Sequence, residues 1–196
     1  MKPASPAGDR YRFDRVQMAL HWLTFLFVVT LFLLAQTWKF LPQGGALRHA
    51  LQALHISFGL LFTAVLAVRL LWRFGLAQHP LPVTRGLVRL ASDGMHHLLY
   101  LLLVAQVALG LVWGWASTEG LRLFGLLIPP PMTLTTDQRH FVGSLHGTVA
   151  SVIIILAGLH AVAALFHQFV LRDGLLWRIV PGRGAPQPAA PQEHAD

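Results

Sequence analysis

Four long stretches of the chain contain no Asp, Glu, Lys or Arg: Val16–Trp38, His49–Val68, Gly94–Thr118 and His140–Leu171. Segments that break a helix lie between them, among them Pro42–Gly45 and Pro80–Pro82. A helix that crosses the hydrocarbon layer needs about 20 mainly apolar residues, at about 1.5 Å of rise each, and every run is long enough. No water reaches the backbone there, so such runs must be helical. The pattern predicts an all-α fold, an integral membrane four-helix bundle with spans at about 16–38, 49–70, 94–116 and 144–170. In the fourth run, the residues before Ser144 read as an approach segment outside the bilayer. Residues 1–15 form an N-terminal cytoplasmic segment, 16–180 the transmembrane domain, and the Pro- and Ala-rich stretch 181–196 a disordered tail. The first run is too long for a signal-peptide core and lacks a small-residue cleavage site after it, so it is expected to remain as the first span. The loop Glu119–Arg139 is apolar around Phe124–Pro131 and reads as an interfacial segment or as a lid over the bundle.

Composition agrees with a membrane protein. Of 196 residues 55% are hydrophobic and 12% charged, and the formal charge is +7. Basic residues set the direction of threading. With both termini in the cytoplasm, the inner segments hold eleven: Lys2, Arg10, Arg12, Arg15, Arg69, Arg73, Arg85, Arg89, Arg172, Arg178 and Arg183. The outer segments hold four, Lys39, Arg48, Arg122 and Arg139. The N- and C-termini are therefore expected to be cytoplasmic, in a bacterial inner membrane. All six tryptophans fall near span ends, as interfacial anchors do. The basic charge thus follows from topology, and no nucleic acid is expected as a partner. The absence of cysteine excludes disulfides, thiolate zinc sites, Cys-held iron–sulfur clusters and haem attached through thioether bonds.

Histidine is abundant instead, with eleven residues against eight carboxylates. His21, His55, His96, His97, His146, His160 and His167 lie in or at the edge of spans, where ionisable groups are expensive and usually functional. His146, His160 and His167 are spaced by 14 and 7 residues, which puts them on one stripe of span four. By depth, His55 can face His146 near the outer side and His21 can face His160 near the inner side. Two neutral imidazoles facing each other across a bundle can bind a flat macrocycle through its iron, and haem is that ligand. Zinc fits less well, because each pair supplies only two nitrogens. Gly59, Gly147 and Gly158, next to these histidines, would leave room for a large ring. His167 and His96 compete for the inner site. A His146–His160 separation of about 21 Å keeps both rings within the bilayer, whereas His146–His167 needs about 31 Å.

Several short motifs occur in order at matching depths: His21-Trp22, Leu54-His55-Ile56-Ser57-Phe58-Gly59, Val68-Arg69-Leu70-Leu71-Trp72-Arg73, and His96 four residues before Tyr100. Gly110-Leu111, Ser144-Leu145-His146, Gly158-Leu159-His160-Ala161 and Ala164-Leu165-Phe166-His167 complete the set. In these the chain resembles the bacterial cytochrome b561 family from about Tyr11 to Pro181. The resemblance implies two b-type haems and an electron path from a small periplasmic donor, such as superoxide, to ubiquinone as substrate. His21, His55, His146 and His160 are then the axial ligands of the iron. His96 and His167 are candidates to exchange protons with the quinone, because imidazole titrates near neutral pH. Arg69 and Arg73 are candidates to hold haem propionates. Two other functions compete: a haem-bearing membrane anchor for a partner dehydrogenase, and a non-haem, His-lined ion transporter. No carboxylate lies inside a span to serve as the acidic relay of a transporter.

Overall fold

The computed structural model describes residues 12–77, 86–116, 121–123, 126–130 and 132–180, with the strand residues 121–123 and 126–128 described by backbone alone. The first eleven residues, His79, the break at Pro80–Pro82 and the tail 181–196 lie outside the described residues. So do parts of the loop expected to be interfacial or a lid.

Helix α1 (Arg15–Thr37) begins at Asp14, whose carboxylate accepts from the Gln17 backbone N–H at 2.8 Å. The same carboxylate accepts from the Gln17 amide at 2.8 Å and from the Trp72 indole at 3.1 Å. One side chain thus caps α1 and ties it to the end of α2. Burial alone would raise the Asp14 carboxyl, but the Gln17 and Trp72 hydrogen bonds outweigh it and hold the group below the ordinary carboxylate range. A lowered pKa stabilises the fold above pH 4 or so, and the contribution fades as pH falls through the folded value. Asp14→Ala is expected to cost about 1 kcal/mol, read as a lower melting temperature in detergent at pH 7, with the difference from wild type shrinking toward pH 3.

A single 3₁₀ turn, Trp38–Phe40, extends α1 to the sharp connection at Pro42–Gly45, where Gly44 takes φ +74°. Helix α2 (Ala46–Leu71) continues into a π-turn over Trp72–Leu76. Helix α3 spans Gly86–Trp115. Helix α4 spans Thr136–Phe166 and continues into a second π-turn, His167–Leu171, closed by Arg172 and Gly174 in the left-handed region. All four helices are long and apolar enough to cross a membrane.

The four-helix expectation holds, with two differences in extent. Helix α3 begins well before Gly94, and an exposed Arg89–Asp93 pair (3.6 Å) lies on its first turns. Helix α4 begins eight residues before Ser144, so the expected approach segment is helix. A capping box, with Thr135 and Gln138 bonding each other's backbone, starts it there. Between α3 and α4 a short antiparallel ladder pairs β1 (Leu121–Leu123) with β2 (Leu126–Ile128).

The packing is pairwise. Helix α1 lies along α2 and α3 along α4, while contacts between the two hairpins are sparse. A small core joins them at mid-height, formed by Phe62 and Leu66 of α2, Leu103 of α3 and Ile153 of α4, with Phe27, Leu31 and Val149 against it. Ile153 lies midway between His146 and His160 on the α4 stripe. The core therefore separates two polar levels, one near the terminal end of the bundle (Asp14, Trp72) and one near the distal end (Trp38, Trp113). Elsewhere the helices expose large apolar side chains such as Phe25, Leu61, Leu101 and Ile155, as a lipid-facing surface requires.

Candidate functional site

At the distal level, His55 of α2 and His146 of α4 face each other across the two hairpins. Their ring centroids are 6.4 Å apart, with the planes at 78°. The His55 Nδ1–H donates to the Leu31 carbonyl at 3.0 Å, which leaves Nε2 with its lone pair free. Trp38 packs edge-on against His55 at 5.1 Å, and Trp113 lies tilted against His146 at 5.9 Å. The His146 Nδ1 is buried and has no hydrogen-bond partner. With metal–nitrogen bonds of about 2 Å and a ring centre about 1 Å behind each nitrogen, imidazoles on opposite sides of one iron sit about 6 Å apart. The observed separation suits that arrangement, and among the described residues no three His, Asp or Glu side chains converge as a zinc site would need.

At the terminal level, His96 of α3 meets His160 of α4, with ring centroids 5.0 Å apart at 79°. His21 of α1 is within electrostatic reach of both. The His96 Nδ1–H donates to the Ser92 carbonyl at 2.7 Å. Arg69 of α2 lies at the centre of this level, where it donates to the Leu20 carbonyl (2.9 Å), the Tyr100 hydroxyl (3.1 Å) and the His21 Nδ1 (3.2 Å). Its guanidinium is engaged by its own chain. Arg73 differs: its Nη1 is buried without a partner, and its charge acts on His96. Of the two arginines, Arg73 is therefore the one with a donor free for a carboxylate.

His167 sits apart, on the π-turn, with its Nδ1 paired to the Asp173 carboxylate. The His97 Nδ1–H donates to the Asp93 carbonyl at 2.7 Å. Three of the four cations at the distal end, expected from the sequence to lie outside, serve the helices. Arg48 donates to the Trp38 and Leu41 carbonyls after α1, Arg139 to the Ala116 carbonyl after α3, and Lys39 to Gln36. Cations at helix C-termini satisfy carbonyls that lack helical partners. For Arg122 only the backbone is described. Beside these ends a cleft of about 500 Å³ opens between Trp113, Thr136, Arg139, His140, Gly143 and Ser144.

Sequence reasoning missed a stripe on α3. Gln106, Gly110 and Trp113 lie four and three residues apart and all touch the His146 side of the distal pair. A Cβ on Gly110 would stand 3.1 Å from the His146 ring, and one on Gly143 3.0 Å from Trp113. Gly59, Gly147 and Gly158, read from the sequence as leaving space, meet nothing within 4 Å. Gly110→Ala is expected to displace His146 at a cost of about 1–3 kcal/mol, more than the gain of up to ~1 kcal/mol in helix propensity. Thermal melting checks this, with Gly114→Ala, whose added Cβ meets nothing within 4 Å, as the control that should show the propensity gain alone.

Residues 12–182 match the family model of prokaryotic cytochrome b561. Cytochrome b561 homolog 2 of Escherichia coli K12 is 31% identical over 86% of this chain and 91% of its own. Cytochrome b561 homolog 1 of the same strain is 26% identical over 88% and 98%. A probable superoxide oxidase, CybB, of Yersinia pestis is 25% identical over 87% and 96%.

Proposed function

Because this chain belongs to the prokaryotic cytochrome b561 family, membrane proteins that bind haem b and transfer electrons, we propose that it is a di-haem wire from a periplasmic donor to quinone. The observation that carries the reading is the His55–His146 pair bridging two otherwise sparsely joined hairpins. His55 and His146 would hold the outer haem, and His21 and His160 the inner one. Bound there, haem would supply one-electron chemistry.

The protein's own groups do the rest. The Leu31 carbonyl fixes the His55 tautomer and keeps its ring basic. Arg73 offers its buried Nη1 to a propionate. The apolar core of Phe62, Leu66, Leu103 and Ile153 excludes water between the two levels. Both termini face the cytoplasm of a bacterial inner membrane on this reading, the orientation the positive-inside rule favours with eleven basic residues on that side against four. There the His167–Asp173 pair and His96 supply protons to ubiquinone, since each imidazole can give a proton and regain it from water. The donor is superoxide, by analogy with the Yersinia pestis relative, and Arg139 on the distal cleft attracts it. On this reading the chain is an oxidoreductase that needs no partner dehydrogenase.

A reduced-minus-oxidised spectrum with a pyridine haem count tests the first part and should give two b-type haems per chain. No b-type band would leave the ion-transporter reading in its place. In liposomes containing ubiquinone, the protein should speed superoxide-driven quinone reduction. A rate equal to that of empty liposomes would remove superoxide as donor and favour the anchor role.

A further inference from the structure

Arg69 sits in the last turn of α2, half-buried against α1 and α3. A guanidinium is always charged, and a charge drawn out of water is costly unless it is paired. Among the described residues no carboxylate pairs with it. Those at this end of the bundle are taken: Asp14 accepts from Gln17 and Trp72, Asp93 faces Arg89, and Asp173 is paired with His167. Neutral groups hold the guanidinium instead. The Leu20 carbonyl of α1 (2.9 Å) and the Tyr100 hydroxyl of α3 (3.1 Å) accept from it, and it lies 5.3 Å from the centre of the Tyr100 ring. These two anchors fix the charge at the terminal level whichever nitrogen of His21 faces it.

The two levels of the bundle therefore differ in charge. At the terminal level Arg69 acts on His21, His96 and His160 together. No arginine or lysine bears on His55 or His146 in this way, and Arg48 and Arg139 are turned to main-chain carbonyls. We propose that Arg69 makes the terminal level the electron-accepting end of the protein, because its unpaired charge favours the reduced state of a haem held there over one held by His55 and His146. This rests on the haem reading above. The step it biases is the transfer of one electron from the outer iron, which is oxidised, to the inner iron, which is reduced, with no bond made or broken. By Coulomb's law at an effective dielectric constant of about 20, a unit charge within about 10 Å changes such an equilibrium by about tenfold or more. Net charge around a haem is among the levers by which a protein sets its potential.

The test uses the full-length, haem-loaded protein in detergent and reads both midpoint potentials by redox titration, the one that disappears in His146→Ala being the outer. Arg69→Gln is expected to move the inner potential in the negative direction by at least about 59 mV, the equivalent of tenfold for one electron, and to leave the outer one in place. Arg69→Lys keeps the charge, and Tyr100→Phe removes an anchor but no charge, so both should stay near the wild-type potential. A purely structural role would move all three alike, and that result, or an unmoved potential in Arg69→Gln, would overturn the proposal. If Arg69→Gln loses the inner haem, Tyr100→Glu decides. It sets a carboxylate beside the guanidinium and should move the inner potential in the negative direction, and an unmoved potential there is equally fatal. A wild-type protein with no haem would instead refute the function proposed above.

Discussion

His146→Ala should release one of two haems per chain and abolish electron transfer from the outer face. The pyridine haem count should fall from two to one, and donor-driven quinone reduction should drop by on the order of 100-fold or more, since even second-shell partners of metal ligands contribute 10–100-fold. The size of the effect follows from geometry. No other described His ring contacts the 6.4 Å pair of His55 and His146, so no nearby imidazole can replace the missing ligand. Trp113 and Gln106, which flank the vacated space, offer no nitrogen lone pair for iron. Titration with an artificial reductant of the inner haem separates loss of the path from loss of the fold, because the terminal level should stay reducible. Retention of two haems in this variant would remove His146 from the ligand set.

The second large effect concerns the terminal level, where four histidines compete. His160→Ala should lose the inner haem, and His167→Ala should keep it while slowing quinone reduction. His160 sits in ring contact with His96 and within reach of His21 and Arg69. His167 lies two helical turns further on, beyond the change from α-helix to π-turn, and its Nδ1 is taken by Asp173. The same haem count and a quinone-reductase assay discriminate the two. If His160→Ala retained both haems while His167→Ala lost one, the inner ligand assignment would pass to His167. His96→Ala is the companion variant: its ring touches His160, so quinone reduction should slow while both haems stay bound.

Much of this architecture was legible before any coordinates. Charge-free runs gave the four spans because a bilayer filters sequence more severely than water does. The heptad spacing predicted one stripe of His146, His160 and His167; α4 carries the first two with Ile153 between them, while His167 falls past its end on the π-turn. Span ends were less legible. Charges such as Arg89 and Asp93 end an apolar run without ending a helix, since α3 continues past them into water. The early start of α4 did leave a signal, Thr135 and Gln138 three residues apart, but an apolarity scan overlooks a capping box.

The site was legible only in part, for a physical reason. Ligand residue types announce themselves, whereas the residues that hold them depend on which helix faces point together. Nothing local to Gln106 says that it meets His146 forty positions away, and nothing local to Gly110 says that an imidazole needs its missing Cβ. Arg69 illustrates the same limit. Its charge suggested an external carboxylate, yet the fold surrounds it with Leu20, Tyr100 and His21.

The sparse seam between the α1–α2 and α3–α4 hairpins has a consequence for how the protein is made. Each hairpin can enter the bilayer as a finished unit during synthesis, and in lipid no hydrophobic force then draws the two together. On the proposed reading, a haem held by His55 from one hairpin and His146 from the other would close that seam, so binding energy would become assembly energy. The amount of mature protein in a cell should therefore track haem supply, with unjoined hairpins cleared by membrane proteases when haem is scarce.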